Sequence, residues 1–136
     1  MPLNPGMIDE RLDAQSGRVM FQAALEAYRL NHTYLGTEHV LLGLVSEDEA
    51  RSERLASVDL HRARAAVEQE LHRGPASSFG LPLPPTPRLR TMIGTAIRIA
   101  YERSSASVAP RDLWDALSSD SQSCGAKIAQ SLKTDG

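Results

Sequence analysis

The residues most able to bind a metal ion or to catalyse a reaction lie in the first third of the chain. His32, Glu38 and His39 carry side chains that bind metal ions, and the last two are adjacent. They lack the HExxH motif and the Cys/His spacing of zinc sites, so capping or packing is the favoured interpretation. We expect His39 to form a hydrogen bond where a loop meets a helix. The sequence therefore predicts no metal site.

Cys124 is the other residue that could act chemically. It has no histidine near it in the sequence, and a buried or unreactive thiol is the favoured interpretation. A single cysteine cannot form an internal disulfide, which is typical of proteins from a reducing compartment. No catalytic triad, carboxylate pair or GxxxxGK(S/T) phosphate loop is present. The sequence predicts no enzyme and no cofactor.

Composition and charge favour one compact helical domain. Of the 136 residues 41% are apolar and only 4% aromatic, which suits closely packed helices with aliphatic cores. The net charge of −2, with acidic and basic residues interleaved, argues against nucleic-acid binding. No early segment resembles a signal peptide, and the longest apolar run, residues 40–45, is too short to span a membrane. We expect a cytoplasmic protein.

Capping residues and apolar spacing place the helices. Asp13 is expected to cap a helix that runs to about Leu30. Thr37 is expected to cap the next, with Glu38 in a first turn where the helix dipole favours a negative charge. Thr86 and Pro87 supply a cap and a first-turn proline together. The expected helices begin, in order, at Asp13, Thr37, Ala50, Asp59, Thr86, Pro110 and Cys124.

A proline-rich linker divides the chain. Residues 74–87 contain five prolines and two glycines and have no helical periodicity, so we expect them to be extended. The helix that Asp59 caps is expected to stop at Gly74 and Pro75. The expected organisation is a leader at 1–12, a first repeat at 13–73, this linker, and a second, divergent repeat at 88–136.

The two halves of the chain align at a constant shift of 73 residues. The alignment has no gap from Ala23 and Ala96 to Leu44 and Leu117. A repeat of this kind predicts two similar helical bundles related by pseudo-symmetry. The predicted fold class is all-α, with about seven to eight helices.

Residues 27–44 carry a family resemblance. Their sequence, AYRLNHTYLGTEHVLLGL, resembles the signature of the N-terminal repeat domain of the Clp/Hsp100 unfoldases of the ClpA/ClpC type. Thr86, Pro87 and Arg88 resemble the opening of that family's second repeat. The resemblance implies a module that docks substrates and adaptors, here without the AAA+ ATPase modules. Met1 and the divergent second repeat favour a stand-alone relative.

The same resemblance implies ligand residues. In the ClpC branch it implies a receptor for phosphorylated arginine, in which a glutamate holds the guanidinium and an opening threonine lies near the phosphate. Repeat one keeps Glu38, beside Thr37, but has Asp13 at the threonine position. Repeat two keeps Thr86 but has Arg111 at the glutamate position. In each repeat one charge would therefore repel the ligand.

Two functions follow from these expectations. The favoured one is a non-catalytic docking module that assists or modulates a Clp protease system. Its partners would be Clp unfoldase or protease subunits, adaptors or substrates. The alternative is a receptor for a phosphoarginine-like ligand, with Glu38 as the residue that binds the cation.

Overall fold

The computed structural model describes residues 11–47 and 59–135. These ranges contain helices and two isolated β-bridges but no strand, so the all-α prediction is confirmed. The short helix expected from Ala50 lies outside the described residues. None of the helices in these two ranges has the length and apolarity needed to cross a membrane. In chain order the helices are α1 (Ala14–Arg29), α2 (Thr37–Ser46), α3 (Leu60–Glu70), α4 (Pro87–Glu102), α5 (Pro110–Ser119) and α6 (Cys124–Asp135).

Three helices begin at the caps that the sequence predicts. The side chains of Asp13, Asp59 and Thr86 each accept a hydrogen bond from the backbone N–H three residues later, at 2.8, 2.7 and 3.1 Å. Each bond satisfies a donor that the first turn would otherwise leave unpaired. The expected end of α3 is wrong, because α3 stops at Glu70, well before Gly74.

The internal repeat is present in the structure. The 73-residue shift carries α1 onto α4, and α2 onto α5, residue for residue. Both first helices are followed by a residue with a left-handed backbone, Asn31 at φ 57° and Ser104 at φ 62°, and these are also 73 residues apart. The sequence alignment therefore reports a real structural repeat.

The linker packs against the first repeat. The Ser78 hydroxyl donates to the carbonyl of His32 at 2.7 Å, and the Tyr28 hydroxyl donates to the carbonyl of Leu81 at 2.7 Å. Leu83 is buried in the core. This part of the chain is thus held both by polar bonds and by an apolar anchor.

The core is mainly aliphatic, as the composition indicates. Trp114 is 2% exposed and lies in this core, the position expected from the apolar face of its helix. Helices α1 and α2 make a close backbone contact at Gly43 in α2. A Cβ atom there would lie 2.3 Å from the carbonyl oxygen of Val19 in α1. Only glycine allows the two helix backbones to approach this closely.

Gly43→Ala should lower the free energy of unfolding by about 2 kcal/mol or more, because the new methyl group meets rigid backbone. Gly94→Ala in α4 is the matched control, since nothing lies within 4 Å of a Cβ at that position. This control should gain about 1 kcal/mol from helix propensity. Urea unfolding measures both variants. Equal changes in the two would contradict the close contact between α1 and α2.

Candidate binding site

The two repeats meet where their helices begin. The Asp13 N–H donates to the Val108 carbonyl at 2.8 Å, and the Thr86 N–H donates to the Leu35 carbonyl at 2.9 Å. The N–H groups of Val108 and Leu35 return a bond to the opposite segment, which completes the two isolated β-bridges. The start of each repeat's first helix therefore lies beside the loop that leads into the second helix of the other repeat. We call these two places the junctions.

The junctions, which join opposite repeats, determine which predicted site residues are neighbours. The segment of Thr86 lies beside the segment that leads into Thr37 and Glu38. The segment of Asp13 lies beside the segment that leads into Arg111. The sequence groups Glu38 with Asp13, and Thr86 with Arg111, within single repeats. The backbone hydrogen bonds do not support that grouping, because they join opposite repeats.

Glu38 is buried at the first junction. It lies in the first turn of α2 and is 4% exposed. Its carboxylate lies over Gly36, where a Cβ atom would come within 2.5 Å of Oε1. The Tyr34 hydroxyl lies near Glu38, and burial followed by this carboxylate raises the pKa of the Tyr34 hydroxyl above its ordinary value. The carboxylate of Glu38 therefore lies beside a possible donor of the same chain.

Cys124, the first residue of α6, lies close enough to Glu38 to feel its charge. Burial first, and then the charges of Glu38 and Glu70, raise the pKa of the Cys124 thiol to about 11. A thiol with this pKa is protonated at neutral pH, so it is a poor nucleophile and a poor metal ligand. This agrees with the unreactive thiol expected from the sequence.

Thr37 connects α2 to α6. The expectation that it caps α2 is wrong, because the cap position belongs to Gly36 and Thr37 is the first helical residue. Its Oγ1 instead accepts a hydrogen bond from the N–H of Gly125 at 2.9 Å. A Cβ atom at Gly125 would lie 2.6 Å from the Thr37 carbonyl oxygen, so the two helices touch through backbone.

A chain of hydrogen bonds runs through the two histidines. The Gly36 N–H donates to Nδ1 of His39 at 2.9 Å, as expected for a loop–helix contact. His39 must then carry its proton on Nε2, which lies 2.8 Å from Nδ1 of His32. Nε2 of His32 lies 2.9 Å from the His72 carbonyl. All four ring nitrogens are thus used, and within the described residues no three metal-binding side chains come together.

Repeat two has an ion pair in place of this chain. Asp112 stands where the 73-residue shift puts His39, and it accepts a bond from the Ala109 N–H at 2.9 Å. Burial raises the pKa of Asp112, but bonds from Arg103 and Ala109 outweigh burial and hold the pKa below its ordinary value. The neighbouring Arg111 is exposed. Sequence reasoning did not single out Asp112, but its alignment with His39 at the 73-residue shift could have identified it.

The histidine chain makes the stability of the fold depend on pH. Burial, and then the neighbouring His32, lowers the pKa of His39 to about 3. An unfolded histidine titrates near 6.5, so below that pH the unfolded state binds a proton that the folded state does not bind. Stability is therefore complete above pH 6.5 and falls as the pH falls towards 3.

Between pH 7 and pH 5 the free energy of unfolding should drop by about 2 kcal/mol. His39→Gln should remove most of this dependence, although it also lowers stability at neutral pH. His61→Gln, at an exposed position, is the matched control and should keep it. Urea unfolding at several pH values gives the slopes. A wild-type slope that persists in His39→Gln would show that another group is responsible.

Comparisons with known proteins agree with this architecture. A family model described as the Clp repeat (R) N-terminal domain matches residues 11–132. The crystal structure of the N-terminal domain of the chaperone ClpD from Arabidopsis thaliana superposes with a TM-score of 0.73 at 20% identity. The match covers 92% of this chain and 94% of that one.

The related sequences are much longer proteins. The ClpA homologue of Porphyra purpurea, named an ATP-binding subunit of the ATP-dependent Clp protease, is 29% identical over 129 residues. The chloroplastic chaperone ClpC1 of Oryza sativa subsp. japonica is 28% identical over 129 residues. Each match covers 93% of this chain but only 16% and 14% of the relative. The matched part is their N-terminal region, a non-catalytic fold separate from the ATPase modules. The chain belongs to the family of Clp repeat N-terminal domains.

Proposed function

We propose that this chain is a docking module of a Clp protease system. It would bind Clp unfoldase or protease subunits, or the adaptors and substrates that they handle, and so assist or modulate proteolysis. The observation that carries the proposal is the match to the Clp repeat N-terminal domain over residues 11–132. We also propose a cytoplasmic location for this chain. Several of its relatives, by contrast, are named as chloroplastic proteins.

The exposure of the side chains supports docking. The polar groups at the first junction are buried and bonded to one another, which makes them part of the framework. Among the described residues four large apolar side chains are exposed: Phe21 at 40%, Phe79 at 75%, Leu81 at 54% and Tyr101 at 80%. Aromatic and aliphatic side chains of this kind are the usual anchors of protein–protein interfaces.

One observation favours the alternative, a receptor for a phosphoarginine-like ligand. The first junction brings the segments of Thr86 and Glu38 together, and these are the two residues that keep the family's pattern. At the second junction, Asp13 and Arg111 both depart from it. A ligand of this kind would therefore bind only at the first junction, and Glu38, which is 4% exposed, would have to become accessible to the guanidinium.

Two titrations on the same purified protein separate these functions. A docking module should bind the Clp ATPase assembly of its own cell saturably in biolayer interferometry, and millimolar phosphoarginine should not displace it. A receptor should bind phosphoarginine itself, with Thr86→Ala weakening the binding more than Asp13→Ala. These two variants are matched, because each removes one helix cap. Failure to bind the Clp assembly would contradict the docking proposal.

A further inference from the structure

Two tyrosines at equivalent positions of the repeats have opposite exposures. The 73-residue shift aligns Tyr28 in α1 with Tyr101 in α4. Tyr28 is 5% exposed, whereas Tyr101 is 80% exposed. Because the two helices match residue for residue, the difference must come from what lies on top of them.

The linker is what covers Tyr28. The ring of Phe79 lies 5.4 Å from the Tyr28 ring, and the Tyr28 hydroxyl donates to the Leu81 carbonyl. Gly80, between them, has a left-handed backbone with φ 85°. Leu83 then enters the core. In repeat one, a turn with the order aromatic, glycine, aliphatic, closed by a hydrogen bond from the Leu81 N–H to the Ser78 carbonyl at 2.9 Å, therefore fills the surface beside the tyrosine.

Within residues 11–47 and 59–135, repeat two has the same surface without such a segment. A groove of about 490 Å³ lies between α4 and the loop that leads into α5. The described residues provide no chain segment that buries Tyr101. Gly94 stands where the shift puts Phe21 of repeat one, and nothing lies within 4 Å of a Cβ at that position. The groove has small and apolar residues, such as Gly94, Ile97, Ala100 and Val108, together with Tyr101, and its lining also includes Arg11 and Arg98.

We propose that this groove binds a turn-forming segment of a partner protein with the chemistry of the linker: an aromatic residue, then glycine, then an aliphatic residue. The partner's aromatic ring would pack on Tyr101, and the Tyr101 hydroxyl would bond a backbone carbonyl of the partner, as Tyr28 does with the linker. This inference rests on the docking function proposed above and names the kind of segment that is docked.

The chain's own leader is a poor match for the same groove. The 73-residue shift aligns the leader with the linker, so it is the other occupant to consider. It contains no aromatic residue. It has Met7 aligned with Gly80, whose left-handed backbone a methionine adopts only with strain. It also has the charged Glu10 aligned with the buried Leu83. The leader therefore lacks the features of the linker at all three positions.

The probe is a fluorescein-labelled peptide with the linker sequence of residues 76–84, ASSFGLPLP. Fluorescence anisotropy should show saturable binding, and Tyr101→Ala should weaken it about fivefold or more through the lost aromatic contact. Arg90→Ala, at an exposed position of the same helix, is the control and should leave binding unchanged. Replacing the phenylalanine of the peptide with alanine should weaken binding to the wild-type protein as much as Tyr101→Ala weakens binding of the original peptide. Amide shifts in the NMR spectrum should concentrate in residues 94–108.

Three results would overturn the proposal. The first is no saturable binding at millimolar peptide, or binding that Tyr101→Ala leaves unchanged. The second is a tenfold gain in peptide affinity on deletion of residues 1–10, which would make the leader the occupant. The third is a concentration-dependent dimer that Tyr101→Ala abolishes, which would make the occupant a second copy.

The test also separates this proposal from the docking function. If Tyr101→Ala still binds the Clp assembly and no peptide binds, docking stands and the groove is refuted. If the peptide binds but the Clp assembly does not, the groove stands and the Clp partnership is refuted. Because Tyr101 is 80% exposed, its substitution should not affect folding, and circular dichroism checks this.

Discussion

The rest of the structure depends on the backbone hydrogen bonds that join the two repeats at the junctions. They link Asp13 with Val108 and Thr86 with Leu35, and they are related by the 73-residue shift. Because a backbone N–H and C=O must be paired when buried, these bonds hold the two halves in one register. They also position the loops that lead into α2 and α5, and therefore every candidate site residue at the start of those helices.

The two repeats use different side chains to bind the N–H group at the start of their second helix. Each must satisfy the N–H group of the residue that caps its second helix, which is Gly36 or Ala109. Repeat one uses the neutral His39 and a chain of buried hydrogen bonds, whereas repeat two uses Asp112 held by Arg103. Below pH 6.5 the unfolded state gains a proton that buried His39 does not bind, so the first arrangement loses stability, while the depressed pKa of Asp112 keeps the second charged to lower pH. Repeat one is thus the acid-sensitive half.

Local signals in the sequence predict most of the helices. Asp13, Asp59 and Thr86 cap where expected, because a cap depends on residues only three positions apart. Thr37 was misassigned because Gly36 beside it can also begin a helix, and the hydroxyl bonds Gly125, 88 residues away. The pairing of helix starts across the repeats was not predicted for the same reason, since it depends on contacts between distant parts of the chain. The burial of Glu38 also could not be predicted from local sequence patterns, because it depends on the packing of distant residues.

Hydrogen exchange at the junction amides tests this architecture most directly. The N–H groups of Asp13, Leu35, Thr86 and Val108 should all exchange slowly and at similar free energies of opening, close to that of global unfolding. Native-state exchange followed by NMR at increasing urea gives these values. If the Asp13 and Val108 amides exchanged like those of an exposed loop while the other two stayed protected, the repeats would not be joined by a symmetric pair of junctions, and the account would be contradicted.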